Sequence, residues 1–292
     1  MTELDGLRAA VEAALQARIL AAAPCAGGDI NEAWRFDLGD GEAVFVKTRS
    51  DVPAGEFERE AAGLGWLREA GGRVPGVLAV GADAAPFLAL EWIEPGALSP
   101  AAAGDFGRSL AAIHRAGAPA WGALPPGAPG PMHSGGIEYA ESSGSWAEHY
   151  AEQRIRPLAA RTFDAGRVSS ACLAAVESLC DRIETLAGPE EAPARVHGDL
   201  WGGNVYSGAD GTAWLIDPKA QGAHREMDLA MLRLFGSPAG EAGFAAYQEA
   251  FPLADDWEGR AELWQLQPLL VHALYFGGGY GAAVERAAQG YT

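Results

Sequence analysis

Asp199, Asn204 and Asp217 have the residue types and the spacing of a centre for phosphoryl transfer. Asp199 lies five residues before Asn204, and Asn204 lies thirteen before Asp217. The first two belong to Val196-His-Gly-Asp-Leu-Trp-Gly-Gly-Asn204 and the last to Leu215-Ile-Asp-Pro218. Transfer from ATP to an alcohol needs a carboxylate that aligns the hydroxyl and takes its proton late. It also needs hard oxygen ligands that hold Mg²⁺ on the phosphates. Asp199 fits the first role. Asn204 and Asp217 fit the second, with waters and phosphate oxygens completing the ion's shell.

The rest of a nucleotide site is present upstream. Lys47 closes Val44-Phe-Val-Lys47 and can pair with α- and β-phosphate oxygens. Glu60, thirteen residues later, can orient it by an ion pair, with Glu56 and Glu58 as neighbouring competitors. Gly27 and Gly28 allow close backbone approach to phosphates, and Asp29 follows them. Leu90-Glu-Trp-Ile93 lies where the backbone of Glu91 and Ile93, flanking Trp92, can hydrogen-bond adenine. The order matches the protein-kinase-like pattern, with His-Gly-Asp in place of His-Arg-Asp.

Several further residues bear on the acceptor. Trp201, two residues after the proposed base, is placed to face the acceptor pocket, where its ring suits stacking on a sugar or a cation–π contact with an amine. His272 precedes Phe276-Gly-Gly-Gly-Tyr280 and is a second acceptor-side candidate. His197 reads as a structural residue that fixes the loop. Asp228 reads as a helix cap that braces it.

Bulk composition narrows the class. The chain has 292 residues, 49% of them apolar, which is enough for a real core. Its formal charge is −18, from 39 acidic and 21 basic side chains, which argues against nucleic acid or an anionic membrane as partner. The same charge suggests an acidic acceptor pocket suited to a cationic amine. Three cysteines without a CxxC pair indicate neither a disulfide scaffold nor a zinc site. Cys172 and Cys180 read as small core residues, and Cys25 as an exposed one. No signal layout or membrane-length apolar run occurs, so a cytoplasmic protein is expected, with a monomer favoured. Only Lys47 and Lys219 are lysines, which sharpens the placing of Lys47 at a phosphate.

These residues must be positioned by an α+β architecture. Leu4, Leu7, Val11, Leu15 and Ile19 predict an amphipathic helix over residues 3–22, entered by a capping box at Thr2. Residues 33–38 and 43–47 read as a hairpin turning at Asp40-Gly41. A helix over 56–70 and strands at 77–80 and 86–93 complete a small lobe, residues 1–93, with a hinge at Glu94-Pro-Gly96. Residues 94–292 form a mainly helical lobe. Its expected helices span 101–115, 145–161, 169–187, 228–235, 242–249 and 257–275. A long loop is expected over 117–136, and a short tail after Gly277-Gly-Gly279.

The chain resembles the fructosamine kinase (ketosamine 3-kinase) family of the protein-kinase-like fold. The resemblance rests on Gly27-Gly-Asp-Ile-Asn-Glu-Ala-Trp34, Val44-Phe-Val-Lys47, His197-Gly-Asp-Leu-Trp-Gly-Gly-Asn204, Ile216-Asp-Pro218, Arg225-Glu-Met-Asp-Leu-Ala230 and Phe276-Gly-Gly-Gly-Tyr280. Residues 146–157 also resemble the family's Trp-x-x-Phe-x-x-x-Arg helix. It implies a two-lobed fold, ATP and Mg²⁺, and phosphorylation of the sugar 3-hydroxyl of ketosamines, small or protein-bound, followed by release of the amine. By position it makes Asp199 the base, Asn204 and Asp217 the metal ligands, Lys47 the phosphate ligand and Trp201 part of the acceptor site. One departure stands out. Residues 127–145 are rich in Gly, Pro and Ser and lack the family's usual segment before Trp146, which leaves the preferred ketosamine open. An aminoglycoside- or choline-type phosphotransferase would share His-Gly-Asp, the Asn and Ile-Asp, but Trp201 with Gly202-Gly203 argues against it. An inactive nucleotide-binding module would have lost Lys47, Asp199, Asn204 or Asp217, and all four are present.

Overall fold

Phe36, Leu38, Val44 and Val46 alternate with less buried neighbours, and the chain folds there into an antiparallel ribbon with one apolar face. In the computed structural model, which describes residues 3–25, 31–82 and 85–291, this ribbon is β2 (Glu32–Leu38) and β3 (Ala43–Thr48). With β1 (Ile19–Pro24), β4 (Val77–Gly81) and β5 (Phe87–Glu91) it forms a five-stranded sheet in the order β1-β2-β3-β5-β4. Lys47 sits on the central strand, opposite Ala33 of β2 and Leu88 of β5.

Helix α1 (Glu3–Leu15) packs Leu7 and Val11 on this sheet. It ends seven residues before the expected boundary of 22. Gln16 takes a left-handed conformation (φ 54°), and Ile19, which continued the helical stripe, instead enters the same core from β1. Two side chains of α1 hold that strand. Glu12 accepts the Ile19 N–H at 2.7 Å, and Arg8 donates to the Ile19 carbonyl at 3.0 Å. Helix α2 (Glu56–Glu69) buries Phe57, Leu64 and Leu67 and carries Glu60.

Beyond residue 96 the chain is mainly helical. Ser99 caps α3 (Pro100–Arg115), its hydroxyl accepting the Ala102 N–H. The expected loop over 117–136 holds regular structure at its end: β6 (Met132–Ser134) pairs with β7 (Ile137–Tyr139). The expected helix over 145–161 is α4 (Trp146–Glu148), a π-helical stretch (His149–Ile155) and α5 (Arg156–Asp164). α6 (Ser170–Cys180) and α7 (Ile183–Leu186) follow; both α6 cysteines are buried, and Cys25 is half-buried rather than exposed.

Short strands then frame the site. β8 (Ala194–Val196) pairs with β11 (Gln221–Ala223), and β9 (Val205–Ser207) with β10 (Ala213–Leu215). α8 (Glu226–Phe235), α9 (Gly240–Ala250) and α10 (Trp257–Phe276) pack behind them. The expected tail after the glycines is a helix, α11 (Tyr280–Gln289), because Val284, Ala287 and Ala288 share a buried face against the core around Trp264. Among the described residues no helix is long and apolar enough to cross a membrane.

A second core joins the sheet side to the helical side. Phe57, Leu64 and Leu67 of α2 and Leu88 and Leu90 of β5 pack with Phe106 and Leu110 of α3 and with Leu200, Val205 and Leu215 of the catalytic segment. The sheet that carries Lys47 and the loop after β8 are thereby fixed to one apolar layer.

Candidate active site

Lys47 bridges the two halves of the molecule. Its Nζ lies 2.5 Å from Glu60 Oε2 and 2.9 Å from Asp217 Oδ1. Glu60 is thus the ion-pair partner, while Glu56 pairs with Arg49 at 3.3 Å. Burial works against the Lys47 charge, but the two carboxylates outweigh it and hold the pKa above the ordinary lysine value. Asp217 sits at φ 53°, a left-handed conformation that Asp tolerates better than most residues. Its carboxylate is half exposed, so one oxygen remains for a ligand while the other holds Lys47.

The catalytic loop leaves β8 at Val196. His197 is buried; its Nε2 lies 2.9 Å from the Ile216 carbonyl, and its Nδ1 accepts the Asp199 N–H at 3.3 Å. Those bonds assign Nε2 the proton. Gly198 is at φ 81°, and a Cβ there would stand 2.1 Å from the Lys219 carbonyl oxygen. Glycine is therefore required between His197 and Asp199. Asp228 lies in the first turn of α8 without capping it, which corrects that part of the sequence reading. Its bracing role is direct: it accepts the backbone N–H groups of His197 (2.7 Å) and Gly198 (2.9 Å) and faces His114 Nε2 at 3.2 Å. Burial raises its pKa, but the His114 contact and these bonds outweigh burial and keep it below the usual carboxylate value.

Asn204 and Asp217 meet the requirements of a Mg²⁺ site. Asn204 Nδ2 donates to the Asp199 carbonyl at 2.8 Å, which orients the side chain and leaves its Oδ1 for an ion. With the free Asp217 oxygen, this gives two hard ligands, the usual protein share for Mg²⁺ on a nucleotide. The described residues hold no cluster of three or more His, Cys, Asp or Glu suited to a metal, so an all-protein cage is not formed among them.

A narrow cavity of about 60 Å³ opens beside Asp199. Lys219, Gln221, Arg154, Gln267, Ser134 and His272 also line it. Lys219 Nζ stands 3.9 Å from Asp199 Oδ2, and that carboxylate raises the Lys219 pKa. The expected acidic acceptor pocket is corrected here. Lys219 and Arg154 face Asp199 and Asp228 in this lining, and Asp228 is already engaged by the backbone. His272 also lines this cavity, its ring 4.7 Å from that of Phe235, with Nδ1 donating to the Pro268 carbonyl. Trp201 does not line this cavity; it is 43% exposed, and its ring folds over Gly203, whose Cβ would stand 2.2 Å away. Gly203 thus seats the tryptophan, while Gly202 allows close approach to the Gly236 carbonyl.

The adenine side is only partly as expected. The Glu91 N–H donates to the Gly76 carbonyl at 2.7 Å, so that donor is not free for a purine, and Trp92 Nε1 is engaged by Glu94 at 2.7 Å. The Glu91 carbonyl and the Ile93 backbone are the remaining candidates. Gly27, Gly28 and Asp29, like the Thr2 cap, lie outside the described residues.

Sequence reading missed Lys219 and Arg154 as site residues. Lys219 had a usable signal, being one of two lysines and two positions after Asp217. Arg154 had a partial signal in the Trp-x-x-Phe-x-x-x-Arg resemblance over residues 146–157, but its approach to the site depends on the π-helical stretch and the β11 register.

The family profile described as fructosamine kinase matches residues 7–291. A probable ketoamine kinase of Thermus thermophilus is 37% identical over 269 residues, covering 91% of this chain and 92% of its own. A crystal structure from Thermobifida fusca, provisionally assigned as a fructosamine-3-kinase, superposes with a TM-score of 0.89 at 39% identity over 98% of both chains. An aminoglycoside phosphotransferase at 16% identity, with a TM-score of 0.63 over 97% of both chains, shares the fold alone.

Proposed function

This chain belongs to the fructosamine kinase family, and from that premise we propose that it transfers the γ-phosphoryl group of ATP to the 3-hydroxyl of a ketosamine, with Asp199 as base. Membership makes it a ketosamine kinase, a phosphotransferase with an alcohol acceptor. The observation that carries the residue assignment is convergence. Lys47 on the sheet reaches Asp217, and Asn204 reaches the Asp199 backbone, so the sheet lysine is tied to the segment that carries the other three residues. The proposed division is a nucleotide lobe of residues 1–93 and a catalytic lobe of 94–292.

Lys47, oriented by Glu60, pairs with α- and β-phosphate oxygens. Asn204 and Asp217 would hold Mg²⁺, which when bound offsets phosphate charge. Asp199 accepts a hydrogen bond from the acceptor hydroxyl and aligns its oxygen with the γ-phosphorus. As the new O–P bond forms and the bond to the ADP oxygen breaks, Asp199 takes the proton. Lys219 offsets negative charge beside the base. A 3-phosphate on such a sugar is prone to elimination, so the amine is released and the glycated group is removed.

ADP release from ATP and Mg²⁺ tests this, with ribulose-lysine, fructose-lysine, an aminoglycoside and choline offered separately and Asp199→Asn as blank. Turnover of a ketosamine alone, lost in the variant, is the expected result. Turnover of the aminoglycoside or choline alone would overturn the acceptor assignment.

A further inference from the structure

Three arginines are buried among the described residues: Arg154, Arg225 and Arg260. Arg225 holds Glu191 through two bonds of 2.7 Å, and Arg260 holds Glu226 at 2.7 and 3.1 Å. Arg154 is 1% exposed and takes no carboxylate. Its Nη2 meets Gln221 Oε1 at 2.8 Å and His149 Nε2 at 3.2 Å, between the ring faces of Tyr139 and Trp146. Its Nε and Nη1 have no hydrogen-bond partner in the protein. Across the same cavity Gln267 Oε1 has none either. A buried polar atom left unpaired costs about 1–3 kcal/mol, so unpaired donors and an unpaired acceptor on two residues that line one cavity point to a ligand.

The ligand's chemistry follows from what is missing. A carboxylate only accepts and would leave Gln267 Oε1 unpaired. A hydroxyl both accepts and donates, so adjacent hydroxyls serve Arg154 and Gln267 together. Direction follows from exposure. The side chains of Lys219 and Asp199 are 53% and 30% exposed, while Arg154 and Gln267 are 1% and 8% exposed, so the cavity runs inward from the base. Deep in the cavity Arg154 repels a protonated amine and Asp228 is already engaged, so the amine stays toward the mouth, where Asp199 balances Lys219.

We propose that this cavity takes the sugar tail of the acceptor, the hydroxyl-bearing carbons beyond the one phosphorylated, with Arg154 donating to those hydroxyls and Gln267 accepting from them. The proposal rests on the ketosamine reading above. The amine then points to the mouth, where His272 packs on Phe276 and both Tyr275 and Phe276 are exposed. The enzyme therefore discriminates the sugar and tolerates the amine.

The test pairs substrate deletion with residue deletion. kcat/KM is measured for a ketosamine, for its analogue lacking tail hydroxyls, and for the same sugar on small and bulky amines. Wild type should lose about tenfold or more on the deoxy analogue and vary less than about threefold with the amine. Gln267→Ala should bring the parent acceptor down to the analogue, leaving about a twofold gap or less. Arg154→Lys should do the same if it folds. Equal wild-type turnover of parent and analogue would overturn the proposal and leave the cavity to water. So would equal losses on both acceptors in Gln267→Ala, or a larger effect of the amine than of the tail. Turnover of no ketosamine at all would instead remove the acceptor assignment, and this proposal with it.

Discussion

The Asp228 carboxylate accepts the His197 backbone N–H at 2.7 Å, and its second oxygen accepts that of Gly198 at 2.9 Å. One buried anion on α8 thus fixes both residues that precede the base. Asp228→Asn keeps the shape but offers one carbonyl to two N–H groups and places an amide donor against the other. The expected loss is about 1–3 kcal/mol of stability, with kcat lowered about 10- to 100-fold by misplacement of Asp199. Urea unfolding and steady-state kinetics on the same preparation check it. A fall in stability with kcat unchanged would show that the loop holds its geometry without Asp228.

Glu60 and Glu56 give a matched comparison on one helix. Glu60 meets the buried Lys47, whereas Glu56 meets Arg49 at a more open position. Without the Glu60 charge, Lys47 is left to Asp217 alone and drawn toward the proposed metal ligand. Glu60→Gln should lower kcat/KM for ATP about 10- to 100-fold. Glu56→Gln should change it by less than about threefold, as a partly exposed pair contributes little. Equal effects of the two would refute the orienting role.

Lys219 offers its charge 3.9 Å from the base. Lys219→Met removes that charge at similar volume, while Lys219→Arg keeps it. If the ammonium offsets charge that develops during transfer, Met should lower kcat about tenfold or more with KM for ATP little changed, and Arg should restore part of it. Were KM to rise with kcat unaffected, Lys219 would belong to acceptor binding instead.

Much of this site was legible because its chemistry is carried by local spacing. Asp199, Asn204 and Asp217 are ordered by short loops between paired strands, and Lys47 by a hairpin whose alternation fixes its face. What escaped depends on contacts far apart in sequence. Ile19 continued a helical stripe, yet the sheet took it, since one apolar residue satisfies either period. The adenine-facing N–H of Glu91 was lost to Gly76, a pairing set by the register of β4 and β5. The −18 charge suggested an acidic pocket, but net charge is a property of the surface and does not predict which side chains line a cavity.

Three of the four buried histidines among the described residues lower the stability in acid. Burial, aided by Arg154, pushes His149 down to about 3. Burial also lowers His197 and His224, against nearby carboxylates. His149 is therefore neutral in the fold over this range and the other two charge less readily than in the unfolded chain, where each titrates near its ordinary value of about 6.5. Below that pH the unfolded chain binds protons that the folded one refuses. Stability is thus full above about 6.5 and falls as pH drops, by up to about 1.4 kcal/mol per pH unit for each histidine. The depressed carboxylates of Asp228 and Glu191 act in the same sense only at lower pH, whereas Glu60, which burial raises to about 7, takes up a proton in the fold over the same window and offsets part of the histidine decline. Urea unfolding at pH 8, 7, 6 and 5 should show a plateau and then a steep decline. His149→Gln keeps an oxygen acceptor for Arg154 and cannot titrate, so it should flatten the decline by about 1.4 kcal/mol per pH unit. An unchanged slope in that variant would mean that His149 takes up its proton in the folded state.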